Sequence, residues 1–542
     1  MITPYGQPGN QIEKVMLLSM WANYLDQQQI NKKELSNKFI FAGIGKPTYP
    51  VNHHTVKAYK KYWDRLESLA EQWHDGTQFD NEGSAIGYGD PHGDKQAKAI
   101  MAEAMSAWYG AEILAKNVLF TVGGIGGLRI IFDVLNSFYA THTKYRVITP
   151  FPHYSAYANN PHHILHPIDV MSEAGYQLTA RALEKSIQNA LILAAQDGIQ
   201  PRAVLICNPS NPLGTIINEE ELENIAKTLR KYPELFIIFD EAYAEMNFVD
   251  IPSFLNSAPD LKNRTIILRS ATKALSAAGE RMAVILAFDD LIINELIRQQ
   301  ITSYIHSPRS AQIAYAETMI NFSSADRRSM SSYYQSKVEY VMKRLKDMGA
   351  QMPCPNYKVE ATFYALGDFS DLMGMEIPKE AETVLNKTGI IQTGEELVYS
   401  LLFKDLIMLA PLSYFGLAED CGYLRITCSA NTDELKEMMD RLEQRLLEAR
   451  LLKNQFLVSE ILFELEKSYE SNVQLKEEVT NKLDHIKNIV PTCLGLKQQN
   501  HKMSNLLHHL VEHDILNERS HLIESAGYFK KVKKIAYIEN NI

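Results

Sequence analysis

At 542 residues, 46% hydrophobic and 22% charged, the chain has the composition of a globular protein with about three or four domain-sized units, which excludes disorder throughout. Its 55 Lys and Arg against 65 Asp and Glu leave a formal charge of −10, the wrong sign for a protein whose main task is to neutralise nucleic-acid phosphates. Five scattered cysteines without a C-x-x-C pair (Cys207, Cys354, Cys421, Cys428, Cys493) exclude a disulfide scaffold and a cysteine zinc cage.

Cysteine usage of this kind predicts a reducing, cytoplasmic setting. No signal peptide is expected, and no stretch approaches the ~18 uncharged apolar residues of a membrane span, so neither a membrane nor a nucleic acid is an expected partner.

In chain order, residues 1–50 read as an N-terminal arm that belongs with a small domain and ends in a Gly/Pro-rich turn, Phe41 to Pro50. Residues 51–75 carry one helix. From about 95 to 300, helical stretches (Lys95–Trp108, Leu128–Tyr139, Glu219–Lys231, Leu291–Thr302) separate short runs rich in β-branched residues. Those runs are Val118–Val122, Arg146–Thr149, Ala203–Cys207, Leu235–Phe239, Thr265–Leu268 and Met282–Phe288. Such alternation predicts βαβ crossovers and a mostly parallel sheet covered on both faces, an α/β fold whose large domain spans 51–325. A smaller α+β domain is expected over 326–450, with strand-like runs Val359–Leu366, Ile407–Pro411 and Tyr423–Cys428, then a helix Asp433–Ala449. Residues 451–542 read as a helical extension. Leu475, Val479, Leu483, Ile486 and Val490 step by 4, 4, 3 and 4, and Met503, Leu506, Leu507, Leu510 and Val511 repeat the idea.

Three motifs follow predicted strands. Ser270-Ala-Thr-Lys273 follows one and has Arg281 eight residues on; Asp240-Glu-Ala-Tyr243 ends another; Asn208-Pro-Ser-Asn211 closes a third. Ligands of an open α/β sheet collect at the carboxyl ends of its strands, so all three converge on one crevice. A fourth segment, Gly123-Gly124-Ile125-Gly126-Gly127, opens a helix and offers free N–H groups to an anion. The glycines alone would also suit a nucleotide; the lysine and the Asp-x-x-Tyr pair decide against one. An amine, an acid, hydroxyl-directed donors and an anion clamp are what pyridoxal 5'-phosphate requires.

On these residues the chain resembles the class I/II, fold-type I, pyridoxal-phosphate-dependent aminotransferases, in particular the aspartate-aminotransferase type, over residues 43–449. The resemblance implies the following roles. Lys273 is the Schiff-base lysine and Asp240 the partner of the pyridine nitrogen. Asn211 and Tyr243 are donors to the cofactor's phenolic oxygen. Ser270, Arg281 and the backbone of Gly123, Gly124 and Ile125 form the phosphate cup, and Tyr154 stacks on the ring. Tyr88 reaches the phosphate of a neighbouring subunit, which implies a homodimer. Arg425, with the backbone at Gly45 and with Asn211, holds the substrate α-carboxylate. The implied reaction moves an amino group from an L-amino acid, aspartate or glutamate first and aromatic ones second, to a 2-oxo acid. Three departures from the family pattern, Leu213, Ala283 and Pro411-Leu412, remove no chemical group from the cofactor and bear on subgroup and substrate.

The same site would also serve an elimination or a cyclisation, because the motifs fix the cofactor and not which Cα bond breaks. A different class of reading is a non-catalytic pyridoxal-phosphate-binding regulator or scaffold; the intact Lys273 and Arg425 count against it. In the tail, His509-Leu-Val-Glu-His513 matches an inverted zinc-protease pattern. Six of the 16 histidines fall there, so chance pairing accounts for it and no metal is expected.

Overall fold

The computed structural model describes residues 14–32, 38–74, 86–139, 144–467, 473–489 and 493–512. Helix α1 (Lys14–Lys32), strand β1 (Ile40–Phe41) and helix α2 (His53–His74) come first. There follow α3 (Lys95–Tyr109), β2 (Val118–Val122), α4 (Gly123–Tyr139), β3 (Tyr145–Phe151) and β4 (His163–Asp169). Next come α5 (Ala180–Asp197), β5 (Pro201–Cys207), α6 (Glu219–Arg230), β6 (Phe236–Asp240) and α7 (Phe254–Ser257). The layer ends with β7 (Thr265–Ser270), α8 (Ala271–Ala274), β8 (Met282–Ala287), α9 (Asp290–Tyr304) and α10 (Arg309–Asn321).

These strands form one sheet in the order β2-β8-β7-β6-β5-β3-β4. The period of two along each strand divides its apolar residues between two cores. Phe120, Val204, Ile237, Ile267 and Val284 face α3, α5, α6 and α10, whereas Leu119, Val147, Leu205, Ile238, Ile266 and Ile285 face α4 and α9. Only β8 is reversed: it pairs antiparallel with both β2 and β7, while β7, β6, β5, β3 and β4 pair in parallel. The carboxyl ends of β2, β7, β6, β5 and β3 therefore share one edge with the start of β8. The strand that the sequence does not announce is β4. Its His163-Ile-Leu-His-Pro-Ile-Asp169 run lacks β-branched density, and its proline is tolerated because the strand lies at the sheet edge.

The second layer holds α11 (Ser324–Asp347), β9 (Tyr364–Asp368), α12 (Lys379–Leu385), α13 (Gly394–Ser400), β10 (Ile407–Met408), β11 (Ala410–Pro411), β12 (Tyr423–Thr427) and α14 (Thr432–Lys467). Its antiparallel sheet has the order β11-β12-β9, and β10 pairs instead with β1. That pairing draws the N-terminal arm into the second core, where Leu18, Trp21, Phe39 and Ile40 meet Val338, Leu402, Leu424 and Met438. The expected strand Val359–Leu366 begins only at Tyr364. Before it, Thr362 adopts φ +71°, and the chain bonds the large layer: Glu360 and Ala361 N–H donate to Gly214 O, and Thr362 N–H to Met246 O.

Helix α14 runs through residue 450 without a break, then α15 (Val473–Lys487) and α16 (Cys493–Glu512) fold back on it. Leu447, Leu451 and Val458 are buried against Val479, Leu483, Ile486, Leu496, Met503, Leu506 and Leu507. The side chains of Leu475, Val490, Leu510, Val511, His509 and His513 lie outside the described residues. Among the described residues no helix is long and apolar enough to cross a membrane, and no His/Cys/Asp/Glu group could hold a metal ion. Met503 is fully buried, so Met503→Ala should cost about 2–5 kcal/mol, read as a lower denaturation midpoint. An unchanged midpoint would show that α16 does not pack as described.

Candidate active site

The common edge of the large sheet gathers most of the candidate residues. Gly123 follows β2 at φ +67°, and its N–H donates to Arg281 O at 2.9 Å, which fixes the glycine turn against the start of β8. A Cβ at Gly123 would collide with the Arg281 guanidinium, and one at Gly124 would stand 3.6 Å from the Ser270 hydroxyl. The turn, the arginine and the serine thus line one cradle, and at Gly123 a side chain would displace the arginine from it. Ser270 ends β7 and caps α8, accepting from Thr272 N–H at 3.2 Å. Ile125 turns its side chain to solvent and offers only its backbone.

Beside the cradle, Lys273 Nζ donates to Gly45 O in the N-terminal arm. Burial, then repulsion from Arg425 and Arg281, lowers its pKa to about 8. Asp240, at the end of β6, accepts from Tyr157 O–H at 2.7 Å and from Ala242 N–H at 3.2 Å. Burial pushes its carboxyl above the usual range, and the Tyr157 bond opposes that. Tyr243, one short turn further on, lies 2.7 Å from Tyr364, hydroxyl to hydroxyl. Tyr154 stands edge-on to Tyr157 at 5.6 Å, and burial followed by the field of Asp240 raises its phenol to about 12.

The second layer contributes Arg425 from the middle of β12. Its guanidinium donates to Asn211 Oδ1 at 2.9 Å and to Gly43 O at 2.6 Å, between the rings of Tyr364 (4.2 Å) and Phe415 (4.6 Å). Its Nε is buried with no hydrogen-bond partner among the described residues. Asn211 and Gly45 thus meet the small-layer arginine and the large-layer lysine respectively, as a shared crevice requires.

One predicted residue stays apart. Tyr88 is 87% exposed and stands against His306 of its own chain at 6.1 Å between ring centres, with Gly89 N–H donating to His306 Nε2 at 3.0 Å. The structure also adds residues that the sequence reading missed. Tyr157 holds Asp240, and Tyr364 and Phe415 sandwich Arg425. Tyr157 sits three residues after Tyr154, a spacing that could have flagged it; Tyr364 and Phe415 carry no local signal.

The donor set fits pyridoxal phosphate: a cradle of glycine N–H groups with an arginine and a serine, an amine, a buried acid and a guanidinium with an orphaned nitrogen. Comparison with known proteins agrees. Residues 42–442 match the family Aminotransferase class I and II. The chain belongs to that family. Its members depend on pyridoxal phosphate and share fold type I, and so does this aminotransferase-family chain. It is 27% identical over 289 residues to an aspartate/prephenate aminotransferase of Nitrosomonas europaea, across 51% of this chain and 64% of the relative. It is 28% identical over 250 residues to an aspartate aminotransferase of Pinus pinaster, across 45% and 48%. The chain thus spans less than two thirds of the length of either relative. Its fold is similar to those of the aspartate aminotransferase of Rhizobium meliloti (TM-score 0.62, 20% identity, 81% of this chain and 98% of that one) and the aromatic aminotransferase of Pyrococcus horikoshii OT3 (0.60, 21%, 77% and 98%).

The lowered pKa of Lys273 has a measurable consequence for this aminotransferase-family chain. In cofactor-free protein the amine is mostly neutral above about 8 and mostly charged below it. Its rate of modification by an amine-directed reagent, followed on the Lys273 peptide, should rise with a midpoint near that value, against ~10.4 for exposed lysines. A midpoint equal to theirs would remove the burial and repulsion from the account.

Proposed function

We propose that the chain transfers the amino group of an L-amino acid, aspartate or glutamate first, to a 2-oxo acid. The observation that carries this reading is the meeting of Lys273, Asp240 and the Gly123–Arg281–Ser270 cradle with Arg425 in one crevice, built from two separately packed layers. Pyridoxal phosphate, bound there, supplies an electron sink for the pair left when a bond at the substrate's Cα breaks.

The residues act around that sink. Arg281, Ser270 and the N–H groups of Gly124 and Ile125 would hold the phosphate; the expected Gly123 N–H is already given to Arg281 O, so Gly123 serves the cradle by its turn. Asp240, steadied by Tyr157, would keep a proton on the pyridine nitrogen through a charge-assisted hydrogen bond. Asn211 and Tyr243 would donate to the phenolic oxygen, and Tyr154 would cover the ring face. Arg425 binds the α-carboxylate as a fork, with Asn211 and the backbone at Gly45 beside it. Lys273 would anchor the cofactor through its amine, and its Nζ, when free of that bond, would take the Cα proton as general base. Burial, the largest cause of its lowered pKa, favours the neutral, proton-accepting form of that amine.

Four free cysteines among the described residues support a cytoplasmic setting. Tyr88, exposed and away from its own crevice, supports a two-fold dimer in which it completes the partner's phosphate site.

Lys273→Ala should abolish amino transfer, and Asp240→Ala should cost about three orders of magnitude or more in rate while some cofactor stays bound. Near wild-type turnover in either variant would remove that residue from its role. A half-reaction that leaves an aminated cofactor and a free 2-oxo acid separates transfer from elimination, and a donor panel with 2-oxoglutarate ranks the substrates. For assembly, mixed dimers of Lys273→Ala and Tyr88→Phe chains should recover part of the activity. Each hybrid carries both lesions in one site and leaves the other intact. Absence of recovery in proven hybrids would count against a shared site.

A further inference from the structure

The Tyr364 ring packs on Arg425, but its hydroxyl has no role in the reading so far, although it lies in the crevice between groups that do. It opens β9 and is 1% exposed. In the β9–β12 ladder Thr427 lies opposite Tyr364 and Arg425 opposite Leu366. With a side-chain period of two, Tyr364 is therefore the diagonal neighbour of Arg425 on the same sheet face. That register explains why its ring lies 4.2 Å from the guanidinium. Thr362, in the left-handed region, swings the chain into β9, and its hydroxyl accepts from Tyr364 N–H at 3.2 Å. Backbone, register and cation–π contact together fix where the phenol points.

Its hydroxyl reaches the large layer. It lies 2.7 Å from the Tyr243 hydroxyl, and a Cβ on Gly45 would overlap it while standing 3.3 Å from Lys273 Nζ. Burial raises both phenols above their ordinary pKa, so both keep their protons. Two neutral phenols in contact share one hydrogen bond: one donates, and the other keeps its proton for a third group. If Tyr243 gives its proton to the cofactor's phenolic oxygen, its own oxygen is left as the acceptor and Tyr364 is the donor.

We propose that Tyr364 is a positioning residue whose hydroxyl donates to Tyr243 and so sets the strength of the hydrogen bond that Tyr243 presents to the cofactor's phenolic oxygen. The proposal rests on the reading of Lys273 and Tyr243 given above. Hydrogen bonds in a chain polarise one another, so the second phenol strengthens the first as a donor. A stronger donor draws charge from the phenolic oxygen. That charge is what retains the proton on the nitrogen linking cofactor to Lys273, so losing the Tyr364 hydroxyl should raise that nitrogen's pKa.

The test is a pH titration of the visible absorption of the holoenzyme and of Tyr364→Phe, which keeps the ring on Arg425 and removes only the hydroxyl. The midpoint should rise by about 0.3–1 pH unit. Dissociation constants for the non-reactive carboxylates succinate and hydrocinnamate should stay within about twofold, because the cation–π face remains. In a Tyr243→Phe background the same substitution should shift nothing further, because the hydroxyl acts only through Tyr243. An unmoved midpoint in Tyr364→Phe, or an equal shift in the presence and absence of the Tyr243 hydroxyl, overturns the proposal. So does weakened carboxylate binding with an unmoved midpoint, which would place the hydroxyl on the substrate. Lys273→Ala serves as the reference: a titrating band that persists there would mean that the assignment of Lys273 has failed, not that of Tyr364.

Discussion

Three basic groups, Lys273, Arg281 and Arg425, share a crevice largely removed from water, and that burial, with their mutual repulsion added to it, brings Lys273 to about 8. Much of the site answers to that constraint. The cations are held by neutral acceptors: Gly45 O for the lysine, Ala278 O for Arg281, Asn211 Oδ1 and Gly43 O for Arg425. Among the named site residues the one carboxylate is Asp240, and burial pushes it toward neutrality until a cation stands beside it. A crevice with this balance favours ligands with at least two anionic groups, and a phosphate and an α-carboxylate are such groups.

The turns that carry the site are fastened from behind by a second set of charges. Arg269, fully buried one residue before Ser270, pairs with Glu245 and stacks on Trp108 at 4.5 Å. It also donates to Tyr109 O–H at 2.9 Å, and Tyr109 donates in turn to Glu241, the residue after Asp240, at 2.6 Å. Strand alternation makes this possible, since consecutive residues point to opposite faces: Asp240 and Ser270 toward the crevice, Glu241 and Arg269 away from it. Burial pushes Glu241 up to about 7 despite the arginine. A buried network of this kind contributes less to net stability than to fixing one arrangement, because breaking it strands an uncompensated charge. What it fixes is the spacing between the β6 turn and the β7 turn, and hence between Asp240 and Lys273.

The large layer was legible in the sequence because its strands are continuous apolar runs, the mark of a sheet buried on both faces, and the motifs stand directly after them. Lys273, Asp240, Asn211, Ser270, Arg281 and the Gly123 turn could be placed together from strand order alone. The reversal of β8 was not legible, yet it is what returns Arg281 to the shared edge. In the small layer the signal weakened. Thr362 looks like any β-former and instead breaks the run, and Ile407–Pro411 reads as one strand although it serves two sheets. Tyr364 and Phe415 became visible only through the register with β12 and the turn after β11, which are long-range facts without a local pattern.

The contacts of Arg425 and Lys273 show which hydrogen bonds the crevice would exchange for its ligands. Arg425 joins the two layers through Asn211, and Lys273 joins the large layer to the N-terminal arm through Gly45 O. In the proposed assignment both bonds lie where ligands would bind: a substrate carboxylate would meet the Arg425 fork, and the cofactor would take the lysine amine. The Arg425 and Lys273 nitrogens then exchange one acceptor for another, while Asn211 Oδ1, Gly43 O and Gly45 O give up a donor, a cost that ligand binding has to offset. The exception is Arg425 Nε, buried and unpartnered among the described residues, so a carboxylate that reached it would relieve a deficit already present in the fold. The rings of Tyr364 and Phe415, on either side of the guanidinium, hold it in the orientation that such a carboxylate would meet.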